Sequence, residues 1–226
     1  MQVELLYHTP DVERAIATAA RLCYAPVGAS ELMETMPQDR IDSVLSTIMK
    51  GGHFSTLEHV SYTFAVDGVS RALTHQLVRH RLASFNQQSQ RYVKFDNGFA
   101  RIEPETVKAN EEAHEIFEKC MADCQDAYQK LRELDIPKED ARFVLPNAAE
   151  TKIVITMNAR ELLHFFEVRC CNRAQWEIRE LANRMLELVK PTAPYVFMDA
   201  GAPCIRGGCP EGKMTCGHPF PKVKRD

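Results

Sequence analysis

From Arg79 to Arg91 the chain reads Arg-His-Arg-Leu-Ala-Ser-Phe-Asn-Gln-Gln-Ser-Gln-Arg, and this run constrains the fold more than any other. It sets three guanidiniums and two hydroxyls close together, with no hydrophobic periodicity to justify them. Packing does not require such a run, whereas an anion does. Arginine presents a rigid fork of donors that matches phosphate oxygens two at a time, so clustered arginines with hydroxyl partners form an oxyanion cradle. An isolated Arg-x-Arg pair is most often a solvated helix end; the density of donors here points to a ligand instead. Ser84 to Gln90 therefore reads as a loop whose hydroxyl and amide side chains turn toward that ligand.

The flanking segments supply the elements. Met1 to Thr9 is strand-like, and Ala25 to Gln38 reads as an exposed connection between helices. Ile41, Val44, Leu45, Ile48 and Met49 recur at helical spacing and stop at Gly51-Gly52. His53 to His59 reads as a polar turn. Val60, Tyr62, Phe64 and Val66 alternate with Ser61, Thr63 and Ala65, the period of a half-buried strand. A helix is expected from about Ser70 to His80, and another over 105–134, with a stripe that includes Phe117, Cys120, Cys124, Tyr128 and Leu131. Cys120 and Cys124 on that stripe read as core rather than ligands. Ile153, Ile155 and Met157 mark a further strand, Asn158 with Glu161 fits a capping pattern, and helix continues to Lys190 with a break near Asn172. The sum is a helix-rich mixture of α and β, with too few strands for a doubly wound sheet.

Composition narrows the function. At 226 residues and 45% hydrophobic content the chain can bury one sizeable core, so a single domain is expected. A formal charge of −3 argues against general nucleic-acid binding. No apolar run is long enough to span a membrane and the amino terminus lacks a signal pattern, which leads to the expectation of a soluble, cytoplasmic protein with no membrane partner. The eight cysteines, Cys170-Cys171 among them, are expected to be reduced, because a chain of this size needs no disulfide framework. No cysteine or serine nucleophile signature occurs, and no Gly-rich dinucleotide loop or Walker sequence.

The pattern Arg79-His80-Arg81, then Ser84, Asn86, Ser89 and Arg91, resembles the signature of the flavin-dependent thymidylate synthases. Further blocks follow in the same order: Gly52-His53, Glu58-His59, Thr63-Phe64, Ala141-Arg142, Val144-Leu145-Pro146, Asn158-Ala159-Arg160, Arg169 and Ala174-Gln175-Trp176-Glu177-Ile178, so that the similarity covers about residues 40 to 190. The resemblance implies a single α+β domain over 1–198 with a mostly antiparallel sheet, followed by a cysteine-containing tail over 199–226. It implies conversion of dUMP to dTMP, with methylenetetrahydrofolate as carbon donor, FAD reduced by NADPH as hydride source, and release of tetrahydrofolate. It also implies a homotetramer whose active sites are shared between subunits.

Residue by residue, the resemblance puts Ser55, Arg79, His80, Arg81, Gln87, Asn158, Arg160 and His164 beside FAD. It puts Gln76, Arg79, Gln87, Gln88, Ser89, Gln90, Arg91, Arg142 and Arg169 on the nucleotide. Arg169, Ser89 and His53 take the catalytic positions, Arg169 stabilising negative charge on the uracil ring. On sequence alone Arg169 could instead form a buried ion pair with a carboxylate; His53 could be an ordinary turn residue, and His164 a satisfied histidine on an amphipathic helix. Gln87 stands where other members can carry Glu; an amide can position ligands but cannot act as a base.

Cys204, Cys209, Cys216 and His218 lie beyond the shared blocks. Their gaps of four and six residues are looser than the short Cys-x-x-Cys knuckle of structural zinc sites. A reduced tail without metal, flexible or packed on a neighbouring subunit, is expected ahead of a Cys₃His zinc site. A single-stranded nucleic-acid binder using Arg79, Arg81 and Arg91 with Phe85 and Tyr92 is the rival class, disfavoured by the acidic total.

Overall fold

The structure is a computed structural model that describes residues 1–95 and 98–222; the last four tail residues lie outside the described set. Its elements run β1 (Gln2–His8), α1 (Val12–Leu22), α2 (Ala29–Thr35), α3 (Gln38–Gly51), β2 (Ser61–Ser70), α4 (Arg71–Leu77), β3 (Ala83–Gln87), α5 (Glu105–Lys108), α6 (Glu111–Glu133), α7 (Lys138–Ala141), β4 (Glu150–Asn158), α8 (Ala159–Arg169), α9 (Trp176–Val189) and α10 (Pro194–Phe197), with short 3₁₀ turns between. The four strands form an antiparallel sheet in the order β1-β2-β4-β3, the helix-rich α+β class expected. Among the described residues no helix is long and apolar enough to cross a membrane.

The chain divides into two compact units, and each of the four strands carries residues of both. The first comprises residues 1–2, 66–79 and 85–154. Its core gathers Phe95, Phe99, Met121, Tyr128, Ala141 and Ala149, with Phe95 and Tyr128 meeting edge to face at 6.2 Å. The second comprises residues 3–65, 80–84 and 155–226. Here Tyr62 and Phe166 each pack edge-on against Phe197, at 5.6 and 6.1 Å, and all three are fully buried. Burial of each such ring contributes about 1.5–3 kcal/mol.

Most expected elements are present. Gly52 closes α3 in the left-handed conformation (φ 70°), where a side chain would be strained. Asn158 caps α8 by accepting the Glu161 N–H at 2.8 Å. The helix to Lys190 does break, between Arg169 and Trp176.

Five readings change. Ser84 to Gln90 is not all loop: β3 ends only at Gln87, because an edge strand needs backbone pairing with β4 rather than an apolar alternation, and Gln88 N–H still donates to Lys152 C=O at 2.9 Å. The connection from Ala25 to Gln38 contains α2, whose Leu32 is buried. His53 to His59 is a 3₁₀ helix over Phe54–His59, anchored by fully buried Leu57. The helix over 105–134 is interrupted at Ala109-Asn110, where Asn110 accepts the Ala113 N–H and starts a new helix. Cys120 is exposed, since the buried side of α6 runs through Met121 and Tyr128 instead.

Candidate functional site

In the first unit the anion-binding candidates converge around α4 and the end of β3. Ser70 caps α4 by accepting the Leu73 N–H at 3.0 Å, which fixes Arg71 at the first helical position. Arg71 sends Nη2 to the Gln88 carbonyl at 2.7 Å, while its Nε is buried without a hydrogen-bond partner. Burial, and after it the charge of Arg142, holds this guanidinium below its ordinary range. The like charges of Arg71 and Arg142 disfavour each other, and the orphaned Arg71 N–H is left for an anion to satisfy. Arg142 itself gives Nε to the Glu139 carbonyl at 3.0 Å.

The remaining nucleotide candidates surround this pair. Gln87 donates its amide to Thr74 Oγ1 (3.0 Å) and Thr151 Oγ1 (3.3 Å), both buried, so its carbonyl oxygen is the end left for a ligand. Ser89 Oγ accepts the Arg91 N–H at 3.1 Å, a turn that closes the segment beyond β3. Gln88 and Gln90 are half-buried beside it, Gln76 is half-buried in the last turn of α4, and Arg79 is exposed just after that helix. Arg91 stands over the Tyr92 ring and pairs with Glu139, but both partners are about half exposed. An exposed pair of this kind is worth about 0–1 kcal/mol and yields readily to a phosphate.

The second unit holds a buried chain of polar groups. His80 Nδ1 lies 3.2 Å from Glu161 Oε1, and Arg169 Nε donates to His80 Nε2 at 3.0 Å. An arginine N–H can only donate, so Nε2 is the unprotonated nitrogen and Nδ1 carries the proton toward Glu161. His80 and Glu161 are each about 95% buried. Burial, then Arg169, then His164 push the His80 pKa from 6.5 down to about 4, and the imidazole is neutral at pH 7. Burial also raises the Glu161 carboxyl, with His164 partly opposing. Arg169 thus meets an imidazole through its Nε, and the neutral ring lies between the Glu161 carboxyl and that guanidinium while binding both.

The flavin candidates of this unit surround the chain unequally. The exposed His164 ring lies 5.9 Å from His80, and Phe165 meets His80 edge to face at 5.0 Å. Arg81 is exposed with no hydrogen bond or ion pair among the described residues. Asn158 has committed its oxygen to the α8 cap, and Arg160 pairs with Glu58 at 2.5 Å across the surface. Ser55 and His53 are exposed on the 3₁₀ helix and its cap, and the His53 ring lies so close over Gly51 that a Cβ there would sit 2.7 Å from it. His53 is therefore a turn residue by its packing and still open to a ligand.

Two candidate positions escaped the sequence reading. Arg71 looks like any exposed arginine after a strand; its signal was the Ser70 cap that pins it beside the donor-rich run. Glu161 looks like the second half of a capping box, yet its carboxylate turns to His80.

The family described as thymidylate synthase complementing protein matches residues 4–195 of this chain. The flavin-dependent thymidylate synthase of Geobacter sulfurreducens is 59% identical over 226 residues, covering all of this chain and 97% of the relative. That of Clostridium tetani is 48% identical, covering 96% of this chain and 93% of the relative. Among solved structures, the UMP/dUMP methylase PolB from Streptomyces cacaoi, bound with 5-Br dUMP, is similar with a TM-score of 0.73 and 25% identity over 88% of this chain and 95% of that one.

Proposed function

Because the chain belongs to the flavin-dependent thymidylate synthases, we infer that it methylates dUMP reductively to dTMP and that the residues described above carry the reaction. Methylenetetrahydrofolate gives the carbon and leaves as tetrahydrofolate. FAD, reduced by NADPH, supplies the hydride when bound. The observation that carries the assignment of residues is the Arg71–Arg142 pair with its orphaned Nε.

On this reading Arg71, Arg142 and Arg91 neutralise the dUMP phosphate, and the Ser89 hydroxyl with nearby backbone N–H groups completes its ring of donors. Gln87, held by Thr74 and Thr151, offers its carbonyl to the nucleotide, with Gln76, Gln88 and Gln90 lining the approach. The flavin candidates fit FAD: Arg81 and Arg79 for the diphosphate, His80, His164, Asn158, Arg160 and Ser55 for its polar edges, and His53 near the reacting ring. Arg169 stabilises negative charge that develops around uracil N3 and the C4 carbonyl, which makes carbon 5 nucleophilic without a covalent enzyme nucleophile.

We assign a homotetramer with shared active sites on the ground of the family. The family match over 4–195 supports taking 1–198 as the synthase domain and 199–226 as an appended tail. We place the enzyme in the cytoplasm on the same family ground, without nucleic-acid or membrane partners.

The test is the visible spectrum of the purified protein loaded with FAD, freed of excess and then given dUMP. An oxidised-flavin band that shifts on adding dUMP is expected. A folded protein that keeps no flavin would overturn the assignment of the second-unit residues. Light scattering on the same sample should give four chains per particle; a fully active monomer would remove the shared site.

A further inference from the structure

Four of the eight cysteines, Cys171, Cys204, Cys209 and Cys216, line one cavity of about 400 Å³ in the second unit. Three come from the tail, and the fourth comes from the break between α8 and α9, two residues after Arg169. The vicinal pair is divided in role: Cys170 is buried in the core with its thiol pushed up to about 12, whereas Cys171 faces the cavity. His218, which completes the tail's ligand pattern in sequence, does not line the cavity.

Three features distinguish this arrangement from cysteines that merely pack. Cys216 Sγ accepts the His218 N–H at 3.3 Å, and Cys204 Sγ accepts the Phe220 N–H at 3.3 Å. Backbone N–H donation to sulfur stabilises thiolates at metal centres and orients the ligands. Gly217 makes the first of these contacts possible, since its left-handed backbone (φ 77°) returns the chain over Cys216. Arg169 and Arg173 line the same cavity and offset the negative charge that four thiolates would bring. The tail is also tied to the rest of the unit, by Asn172 Nδ2 to the His218 carbonyl at 2.9 Å, by Arg173 to Glu211 at 3.1 Å and by Arg206 to Glu167 at 3.1 Å.

We propose that Cys171, Cys204, Cys209 and Cys216 form a four-thiolate site for a thiophilic metal centre, which fastens the tail to the segment carrying Arg169. Each thiol loses its proton to solvent as its sulfur bonds the metal, with no change of oxidation state. A single zinc with Zn–S of about 2.3 Å needs sulfurs about 3.8 Å apart. Among the described residues the one trio of ligand atoms within 4.8 Å of one another is Glu103, His114 and Glu118, so the thiols must draw in to hold zinc. An iron–sulfur cluster, whose ligand sulfurs stand farther apart, requires less movement. In the Glu103 trio, Glu118 is already satisfied by Arg101.

The experiment is metal and acid-labile sulfide analysis of the full-length protein purified without oxygen, followed by cobalt(II) titration of the reduced, metal-stripped chain. One centre per chain is expected: zinc without sulfide identifies a single ion, and iron with sulfide a cluster. Cobalt should give the charge-transfer bands of thiolate ligation. Cys171→Ser and Cys209→Ser should each weaken binding by more than the roughly 10–100-fold that loss of an outer-shell partner costs, while Cys120→Ser, on exposed α6, should change nothing. Wild-type protein that holds no metal and shows no cobalt–thiolate bands overturns the proposal without recourse to any variant. Full metal retention by Cys171→Ser overturns the four-cysteine set.

Discussion

His80 should make the stability of this fold depend on pH in a defined window. Its pKa falls from 6.5 when unfolded to about 4 when folded, so between those values the unfolded chain binds the extra proton and stability rises with pH. The contribution is complete above about pH 6.5 and lost as pH falls through about 4. At about 1.4 kcal/mol per pH unit, the fold loses about 1.4 kcal/mol from this residue by pH 5.5 and about 2.6 kcal/mol by pH 4.5. The groups facing the ring are Glu161, Arg169 and His164. Glu161 works in the opposite sense, since its raised carboxyl makes stability fall as pH rises above about 4.5. The assay is therefore a difference: urea unfolding of wild type and His80→Gln from pH 7.5 to 4.5. His80→Gln removes the titrating ring, so its stability should fall less steeply on acidification, by the amounts above. Parallel pH dependences for the two proteins would refute the reasoning that places a neutral imidazole between Glu161 and Arg169.

Other outcomes follow from the site. Arg71→Ala should raise the KM for dUMP at least about 10-fold, because a charge-assisted phosphate contact is worth about 1.5–3 kcal/mol; unchanged steady-state kinetics would show that the orphaned Nε faces no phosphate. Ser89→Ala should weaken dUMP binding and leave measurable turnover, whereas complete loss of turnover with dUMP still bound would make Ser89 a chemical participant. Arg169→Lys should lower kcat by about 10²–10³-fold, as loss of a transition-state donor does, with dUMP affinity measured by calorimetry changing far less. Glu161→Gln keeps an acceptor for the His80 Nδ1–H, so it should lower kcat less than Glu161→Ala; equal losses would mean that Glu161 acts by its charge alone.

The sequence determined the features that rest on local chemistry. Gly52 had to end α3, Asn158 had to cap α8, and the alternations of β2 and β4 follow from a period of two that the chain writes directly. The run from Arg79 to Arg91 marked a candidate anion site, because its three guanidiniums are exposed rather than taken into the core. Elements whose reason lies elsewhere in the chain were not legible in the same way. β3 exists because β4 offers it backbone partners, and Cys120 is exposed because the partners of α6 lie on its Met121 and Tyr128 side. The same holds at the site, where Glu161 and Arg169 follow His80 by 81 and 89 residues and only folding brings them to opposite nitrogens of its ring. The mutually disfavouring like charges of Arg71 and Arg142, and Cys171 in the company of the tail cysteines, are likewise decisions of tertiary structure: a side chain's role as donor or acceptor is set by its type, but its partner is set by which distant backbone carries it there.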